Sequence, residues 1–571
     1  MILGEVTIGG RRQKLYQMAN GLSDAYSVTM GRIKQQRGSR AILGVAALMW
    51  ISMAERPLLV NELCHALAVE TGSMDIDRGK IPSIETILGC CLGLVTVDRE
   101  TATVRLIHAT LQEYFRAHPD LFHRPHVTIA EVCLTYLNFQ PVRKLSTAYT
   151  SAPPTFPLVG YASCCWGMHA RKELTVYIKT LALGILLQFP EHIAANLFIL
   201  NERGIWGCGR SSAGFTGLHY AASFGLHELV MGMLIMTNYK PAERDPWGRT
   251  PLIWAAKNGH GAFLKVLFDL SGVDPNLADW CGYTPLSLAA RYGNEGAMEV
   301  LLAQPDLEPD LSDLYKQTPL SWAAEKGHEG VVKTLLNRAD VNPNSPDWRG
   351  RTPLSWAAEK GREGVVKLFL DQPAVNPNCG DVVNRTPLIR AANFGHERVV
   401  ELLLNHPDVD PNFADNDRQT PLLWAAATGQ EGVVTVLLSR TDINPNLPDS
   451  DNQTPISWAA EKGHEGVVKL LLGHPDVDPN SVDNDGQTPL SWAAASGHKG
   501  VVRILSTRAD VNPYPLDNSG RGPLSLAYRR GHTKVVEILL AWLQASQQIP
   551  RAPFDSPRSR PSAPHELMPG I

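Results

Sequence analysis

The sequence predicts a mainly α-helical protein whose C-terminal three-fifths is a solenoid of ten repeated units. A threonine, replaced by glycine in the last unit, recurs at intervals of 34 residues without a slip. A second glycine follows nine residues after each of these positions. A fixed period of about 20–50 residues indicates a repeat array, in which each unit buries its apolar face against its neighbours. The unit starts are Thr216, Thr250, Thr284, Thr318, Thr352, Thr386, Thr420, Thr454, Thr488 and Gly522.

Each unit begins with a helix whose two ends carry sequence signals. The hydroxyl of Thr318 is expected to cap free backbone N–H groups, and Pro319 occupies the first helical position, where its missing donor costs little. The later glycine is expected to form a left-handed helix cap, a conformation that favours glycine. All ten units have this residue, at Gly225, Gly259, Gly293, Gly327, Gly361, Gly395, Gly429, Gly463, Gly497 and Gly531.

A second helix and an extended tip complete the unit. Val331, Val332 and Leu335 lie at i, i+1 and i+4, which predicts an apolar stripe on the second helix. The tip before the next unit start has the pattern D-x-x-G-x, in which glycine or asparagine supports a turn with positive φ. Glycine fills that turn position six times and asparagine twice. Lys316 and Arg418 depart from the pattern and predict altered turns.

This tip–helix–helix unit, with T-P-L-x-x-A-A and G-H, resembles the ankyrin repeat over residues 211–545. The usual ankyrin period is about 33 residues, so the extra residue is expected in the loop that carries a Pro-Asn pair. In ankyrin proteins the tips and the ends of the first helices line a concave face. The resemblance therefore implies a protein partner that binds through this concave ankyrin face.

Residues 1–210 show no period and predict helices with one hairpin. Residues 41–54 form an apolar helix, a second helix follows Pro57, and a third begins near Ser83. Residues 94–98 and 103–107 alternate as two strands around a polar turn. A capping-box pattern at residues 110–113 predicts the start of another helix. Three helices and a hairpin wing predict a winged-helix module.

Stretches of this region resemble the winged-helix and helical segment that follows the nucleotide-binding NACHT domain in fungal ankyrin-bearing signalling ATPases. They are GLSDAYSVTMGRI (21–33), ERPLLVNELCHALAVE (55–70), IPSIETILGCCLGLVTVD (81–98), VRLIHATLQEYF (104–115) and FPLVGYASCCWGMHAR (156–171). The same winged-helix type accompanies proteins described as GPI inositol-deacylase-like, a label that implies no deacylase activity here. The sequence contains no GxxxxGK[ST], so no phosphate-cradling loop and no NACHT domain is expected. The chain is then either a truncated gene product or one that works without that ATPase.

The predicted organisation has five parts. Residues 1–40 form a helical lead-in, 41–130 the winged-helix domain, and 131–210 a helical linker region. Residues 211–545 form the ten ankyrin units, and residues 546–571 form a Pro- and Ser-rich tail that is expected to be disordered.

Composition argues against several classes of function. The net charge of -4 gives no electrostatic case for nucleic acid or anionic membrane. The helix that would enter a DNA groove, residues 83–94, contains Glu85 and no Lys or Arg. The longest apolar run, residues 41–54, is too short to span a bilayer. GxSxG, HExxH and CxxC motifs are absent. We therefore expect no enzyme, no cofactor, no metal, no nucleic acid and no membrane partner.

Histidines and cysteines receive structural interpretations. A histidine often follows the cap glycine, where it is expected to hydrogen-bond the backbone; these are His260, His328, His396, His464, His498 and His532. The nine cysteines form no framework, which favours free thiols in a reducing compartment. The expected location is cytoplasmic, with the nucleus not excluded.

Tryptophan recurs four residues after the unit start, at Trp254, Trp322, Trp356, Trp424, Trp458 and Trp492. These side chains either form an exposed binding ladder or pack between repeats. Because Leu288 and Leu526 replace tryptophan in this position, packing is favoured. Arg390 is a charged exception. The tryptophans, with Gly259, Gly327, Gly361 and Gly463, are accordingly interpreted as structural residues of the repeat.

Positions that vary within the fixed frame are the better partner-binding candidates. Aromatic and basic residues concentrate at the tips and first-helix ends of the first six units, while later tips are polar. The candidates are Trp247, Lys257, Trp280, Tyr283, Arg291, Tyr292, Tyr315, Lys326, Trp348, Arg351, Lys360 and Phe394.

The predicted function is that of a non-enzymatic protein–protein interaction module. In this interpretation the chain is the ankyrin sensor or scaffold arm of a fungal signalling protein of the STAND or NACHT-like type that lacks its ATPase. The alternative is a targeting arm for an effector enzyme whose catalytic domain is absent from this chain.

Overall fold

The computed structural model describes residues 22–147, 149–202, 214–236, 240–270 and 272–545. The predicted tail and most of the predicted lead-in lie outside these residues. The chain divides into two compact units, Met1–Ala323 and Ala324–Ile571, called here the N-terminal and C-terminal units.

The N-terminal unit contains a small mixed module. Its helices are Ser39–Met53, Val60–Ala66 and Ile84–Cys90, and its strands are β1 (Leu58–Leu59), β2 (Val95–Asp98) and β3 (Thr103–Leu106). The strands form an antiparallel sheet in the order β1-β3-β2, with Val97 opposite Val104. Leu63, Ile87 and Leu111 are fully buried beneath this sheet and its helices. The predicted winged-helix arrangement is confirmed, and the short strand β1 is an addition to it.

One predicted helix start in this module is wrong. The helix Ala109–Ala117 begins one residue before Thr110, and its N-cap is His108. The ring Nδ1 of His108 accepts the Thr110 N–H at 3.2 Å. The Thr110 hydroxyl lies 2.8 Å from that of Tyr26, so it is engaged in a tertiary contact and not in a capping box.

Helices dominate the rest of the region before the repeats. Residues 22–34 are helical. The longer helices that follow the module are Pro125–Leu137, Gln140–Arg143, Leu158–Ala170, Val176–Leu186 and Ile193–Glu202, and single 3₁₀ turns occur at Arg78–Lys80, Pro119–Leu121 and Phe189–Glu191. Trp166 stacks on Tyr220 with ring centroids 5.2 Å apart, which packs this region against the first repeat.

Ten helix pairs follow, one for each predicted repeat, and we number them 1 to 10 from Thr216 onwards. The first helices are Gly217–Phe224, Pro251–Lys257, Pro285–Tyr292, Pro319–Lys326, Pro353–Glu359, Pro387–Phe394, Pro421–Thr428, Pro455–Lys462, Pro489–Ser496 and Pro523–Arg529. The second helices are Val230–Met236, Gly261–Phe268, Glu295–Leu302, Glu329–Leu336, Glu363–Leu370, Glu397–Leu404, Glu431–Leu438, Glu465–Gly473, Lys499–Ser506 and Thr533–Ala545. The 3₁₀ turn His227–Leu229 precedes the second helix of repeat 1. The predicted fold class, mainly α with a repeat solenoid, is confirmed.

Local chemistry explains the helix ends. The hydroxyl of Thr420, for example, accepts the Leu423 N–H at 3.2 Å. Thr454 is an exception, because its hydroxyl bonds the hydroxyls of Ser457 and Ser481 instead. All ten cap glycines adopt left-handed backbone, with φ between 67° and 86°.

Paired alanines in the first helices form the centre of the repeat stack. Both members, such as Ala459 and Ala460, have no exposed surface in repeats 1 to 9. Small side chains in these positions let neighbouring helices approach closely. In repeat 10 the second alanine is replaced by Tyr528, which is 77% exposed.

Candidate protein-interaction surface

An aspartate braces the tip of every repeat from the second to the tenth. In repeat 8 the Asp449 Oδ1 accepts the N–H groups of Asp451 at 3.0 Å and Gln453 at 2.8 Å. The Asp449 N–H donates to the Gln453 carbonyl at 3.0 Å, which closes the turn. The nine bracing aspartates are Asp245, Asp279, Asp313, Asp347, Asp381, Asp415, Asp449, Asp483 and Asp517.

The predicted alteration of the turns at Lys316 and Arg418 is wrong. Both residues adopt left-handed backbone, with φ of 57° and 60°, like the glycines and asparagines in the same position. Their N–H groups donate to the carbonyls of Asp313 and Asp415 at 2.9 Å, as in the other tips. Because the aspartate makes the same hydrogen bonds in these tips, the turn keeps the same conformation whether glycine, asparagine, lysine or arginine occupies the position with positive φ.

Consecutive tips are joined through their backbones. In the N-terminal unit the Trp280 N–H donates to the Trp247 carbonyl at 3.0 Å. In the C-terminal unit the Val382 N–H donates to the Arg349 carbonyl at 2.9 Å, and the Ser450 N–H to the Asp417 carbonyl at 3.0 Å. Since each step adds the same hydrogen bond, equivalent tip side chains within a unit are presented at regular spacing.

The repeated tryptophans donate hydrogen bonds to the same aspartates. The Trp458 Nε1–H donates to Oδ2 of Asp449, nine residues earlier, at 2.8 Å. The other five tryptophans make the equivalent bond at 2.8–3.2 Å. Trp254, Trp322 and Trp356 are buried. Because the bond holds each indole against the tip of its own repeat, this geometry favours a structural role over an exposed binding ladder. The aspartate belongs to another motif of the repeat, so the spacing of the tryptophans alone does not reveal the bond.

Arginine satisfies the aspartate where tryptophan is missing. In repeat 6 the Arg390 Nη2 donates to Oδ2 of Asp381. In repeat 10 the Arg521 Nε donates to Oδ2 of Asp517 at 2.8 Å. In repeat 3 the Asp279 Oδ2 accepts the Arg249 Nε–H at 3.2 Å. These buried carboxylates are thus paired in every case, as their desolvation requires.

The recurring histidines join adjacent repeats. The His464 Nε2 lies 3.1 Å from the carbonyl oxygen of Ala427, which belongs to the preceding repeat. Four further histidines make the equivalent contact at 2.8–3.0 Å, namely His260, His396, His498 and His532. The predicted backbone role is confirmed for these five, with the acceptor in the neighbouring repeat. Burial lowers the pKa of His260 to about 4.

The twelve predicted partner-binding residues differ in exposure. Six are exposed: Trp280, Tyr292, Tyr315, Trp348, Lys360 and Phe394. Four are half-buried: Trp247, Lys257, Arg291 and Lys326. The remaining two, Tyr283 and Arg351, are buried at 4% and 9% exposure.

The two buried candidates have interior partners. The Tyr283 hydroxyl accepts the Arg291 Nη1–H at 3.0 Å, and its ring packs on Trp322. Arg351 pairs with Asp347 at 3.1 Å and lies 3.6 Å from the centroid of the Trp356 ring. Both residues lie in the interior of the repeats, so neither is exposed for contact with a partner.

Trp280 is exposed and yet held in place. Its ring lies over Gly248, where a Cβ would come within 2.5 Å of it. The Arg244 guanidinium lies 5.1 Å from the ring centroid and donates to the carbonyls of Gly248 and Ala278. A side chain fixed before binding loses little entropy when a partner arrives.

Two exposed apolar residues escaped the sequence analysis. Leu314 and Val382 follow their tip aspartates directly, as Trp280 and Trp348 do, and both are exposed. The same position is polar in the later repeats, with Asn416, Ser450, Asn484 and Asn518. Aligning the units by this one position would have found them. Each of the two compact units of the chain therefore carries a pair of exposed apolar side chains on its tips. They are Trp280 and Leu314 in the N-terminal unit, and Trp348 and Val382 in the C-terminal unit.

The N-terminal unit also contains a cavity of about 660 Å³ beside repeats 1 and 2. Phe198, Phe224 and Trp254 line its apolar side, and Arg171 and Lys172 line its charged side. Within the described ranges, no group of three or more His, Cys, Asp or Glu side chains is arranged to hold a metal ion. None of the helices described is both long and apolar enough to cross a membrane.

Stacked helix pairs with braced tips and left-handed caps define a helical-repeat protein of the ankyrin type. The chain belongs to the ankyrin-repeat family, since the family model described as ankyrin repeats (3 copies) matches more than half of it. The overlapping matches cover residues 194–279, 218–313, 267–347, 305–381, 340–415, 373–449, 441–514 and 456–549. This membership makes the repeat region a protein–protein interaction module.

A second family model, described as GPI inositol-deacylase, winged helix domain, matches residues 28–121. This agrees with the helices and the three-stranded sheet described above. No curated protein sequence matches the chain.

Proposed function

We propose that the chain is a non-enzymatic binding protein, the sensor or scaffold arm of a signalling protein of the NACHT/ankyrin type that lacks its ATPase. The observation that carries this proposal is the presence of exposed apolar side chains on hydrogen-bonded tips, in repeats 3 and 4 of the N-terminal unit and in repeats 5 and 6 of the C-terminal unit. Apolar side chains that are exposed and held in place are typical of contact sites, since tryptophan and tyrosine are enriched among binding hot spots.

The partner is proposed to be a protein that binds the tips and first-helix ends, the surface that forms the concave face in ankyrin proteins. In the C-terminal unit, Trp348, Val382 and Phe394 are exposed on repeats 5 and 6. In the N-terminal unit, Trp280, Tyr292, Leu314 and Tyr315 are exposed on repeats 3 and 4. The ten-unit array over residues 211–545 would then bind mainly through its first six units.

The winged-helix module is proposed to serve regulation and not nucleic-acid binding. Its third helix, Ile84–Cys90, carries Glu85 and no basic residue. Phosphate contacts need basic side chains at such a surface. The occurrence of this module and ankyrin repeats in one chain supports the signalling assignment.

An intracellular location is proposed from the thiols. Burial raises the pKa of Cys91 and of Cys164 to about 12, so both stay protonated and unreactive at neutral pH. Free buried cysteines are typical of reducing compartments.

Affinity capture with the full chain, followed by mass spectrometry, tests the proposal. We expect a protein partner whose recovery falls at least tenfold with Trp280→Ala/Tyr315→Ala, with Trp348→Ala/Phe394→Ala, or with both pairs. The matched control is Leu516→Ala/Tyr528→Ala, which removes two exposed apolar side chains from repeat 10. Unchanged recovery with both tip variants, or equal loss with the control, would contradict the assignment of the surface.

A second candidate function is a targeting arm for an effector enzyme whose catalytic domain is absent from this chain. The rigid, apolar tips that favour a scaffold also suit delivery of such an enzyme. It predicts that the captured partner is an enzyme, or the substrate of one, and that the chain alone binds no nucleotide.

A further inference from the structure

Two histidines face each other in the N-terminal unit, between the helices that follow the winged-helix module. His126 lies at the start of helix Pro125–Leu137, and His169 lies near the end of helix Leu158–Ala170. Their Nδ1 atoms are 2.8 Å apart, and their rings stack with centroids 5.1 Å apart. His169 has no exposed surface.

Hydrogen bonds extend from the pair in both directions. On one side the Lys172 Nζ lies 3.1 Å from Nε2 of His126. On the other side the Tyr161 hydroxyl lies 2.9 Å from Nε2 of His169. The same hydroxyl accepts the Glu55 N–H at 3.1 Å, just after helix Ser39–Met53 of the winged-helix module. The chain of bonds therefore connects three segments.

One arrangement of protons satisfies this chain. An ammonium group can only donate, so the His126 Nε2 accepts from Lys172 and its proton is on Nδ1. That proton is donated to Nδ1 of His169, which therefore carries its own proton on Nε2 and donates it to the Tyr161 oxygen. Both imidazoles must be neutral for every bond to form.

Among the charged groups around the pair, Lys172 opposes a positive imidazole on His126, and Glu55 favours one more weakly. The Lys172 Nζ lies 3.1 Å from Nε2 of His126 and 3.7 Å from Oε1 of Glu55, with which it is paired. Arg56 lies over the Tyr161 ring and is paired with Glu62, while Arg124 at the start of the His126 helix is paired with Glu173. Burial lowers the pKa of His169 to about 3, and burial and Lys172 lower the pKa of His126.

We propose that His126 and His169 form a pH-sensitive latch that holds the segment after helix Ser39–Met53 against helices Pro125–Leu137 and Leu158–Ala170. A second proton on His126 points its Nε2–H at the Lys172 ammonium. A second proton on His169 points its Nδ1–H at the Nδ1–H of His126. In both cases a donor faces a donor, and the latch opens.

The direction of the pH effect follows from the lowered pKa values. The latch is complete above the ordinary histidine pKa of about 6.5, and it weakens as the pH falls below that value because the open state binds protons more tightly. The open fraction should rise about tenfold per pH unit for each histidine that takes up a proton.

Hydrogen exchange of the full chain, corrected for the intrinsic pH dependence of exchange, tests the latch at pH 7.5 and 5.5. We expect protection of helices Pro125–Leu137 and Leu158–Ala170 to fall at least tenfold at pH 5.5, while helices Pro421–Thr428 and Pro455–Lys462 keep theirs. His126→Asn, which removes one of the two titrating imidazoles, should lose protection at pH 5.5 at least threefold less than the unmodified chain. The control His227→Asn, which removes a half-buried histidine of repeat 1 that contacts the Gly225 carbonyl and neither of these two helices, should behave as the unmodified chain.

Lys172→Gln provides a second variant if His126→Asn does not fold. A protonated His126 would then no longer face an ammonium group, so the loss of protection at pH 5.5 should be at least threefold smaller. Undiminished protection of the unmodified chain at pH 5.5 would overturn the proposal. An acid loss in His126→Asn or Lys172→Gln as large as in the unmodified chain would do the same.

Discussion

Arg418 shows how strongly the tip turn is determined by its surroundings. It adopts φ of 60° without the freedom of glycine, because Asp415 binds the N–H groups of Asp417 and Gln419 on either side of it. A left-handed backbone costs a non-glycine residue about 1–2 kcal/mol. The turn therefore stores strain at this residue, and Lys316 is in the same position.

Replacing Arg418 with glycine should relieve that strain. Glycine also loses about 0.4–1 kcal/mol more backbone entropy on folding, so we expect a net gain of about 0.5–1 kcal/mol. Urea unfolding of the full chain followed by circular dichroism measures the change. The reverse substitution, Gly486→Arg, is the matched comparison and should destabilise, since a Cβ there would lie 2.7 Å from Oδ1 of Asn518. A loss of stability in Arg418→Gly would contradict this account.

Some residue roles could be predicted from sequence and others could not. The threonine and glycine caps depend on a few neighbouring residues, so their spacing was sufficient. The tryptophans depend on an aspartate nine residues away that belongs to another motif, and Tyr283 and Arg351 depend on packing against Trp322 and Trp356. No local pattern distinguishes such interior residues from exposed ones.

At the scale of the element, a cap glycine lies against a histidine of the following repeat at five junctions, for example Gly429 against His464. The Gly429 Cα lies against the His464 ring, where a Cβ would be 2.7 Å from Nδ1. The cap glycine therefore has two reasons to lack a side chain, its φ of 77° and this close approach.

Gly429→Ala should accordingly cost more than the left-handed backbone alone. Gly531 has the same φ of 77°, and a Cβ placed there would have no atom within 4 Å, so Gly531→Ala isolates the backbone contribution of about 1–2 kcal/mol. We expect Gly429→Ala to exceed it by at least about 1 kcal/mol in urea unfolding. Adding His464→Ala to Gly429→Ala should recover part of this excess, and equal costs at the two glycines would disprove the coupling.

In the winged-helix module, too, the sequence predicts the elements that have their own pattern and not the one that depends on pairing with another element. Its three helices and the hairpin were predicted because each has its own periodicity. Strand β1 was missed because two residues, Leu58 and Leu59, carry no alternation and become a strand only by pairing with β3.

At the scale of the whole molecule, Tyr528 marks where the repeat stack stops. Every other repeat has a fully buried alanine in this position, which lies against the next repeat. A tyrosine there would keep another repeat from packing in the same way. Terminal repeats of solenoids need an outer face of this different kind.

Exchanging the two residue types tests that interpretation. Ala460→Tyr introduces the end residue into the middle of the C-terminal unit and should destabilise it by about 3 kcal/mol through overpacking. Tyr528→Ala alters an exposed side chain and should change stability by less than about 0.5 kcal/mol. Both are measured by urea unfolding, and a tolerated Ala460→Tyr would show that the stack accepts a large residue in this position.

The repeat architecture could be predicted from the sequence because a strict 34-residue period leaves little choice of fold. The predicted domain limits and the partner surface stay predictions. The division into units at Ala323 had no signal in the sequence, since it falls within helix Pro319–Lys326 of an otherwise regular repeat.

The bracing aspartate accepts either an indole from Trp458 or a guanidinium such as that of Arg390. The codon for tryptophan and two of those for arginine differ by a single base. A point mutation can therefore exchange these residues, in the repeats that carry one of them at this position, without leaving the buried carboxylate unpaired. The frame of the repeat therefore tolerates such an exchange beneath the tip while the exposed tip side chains stay as they are.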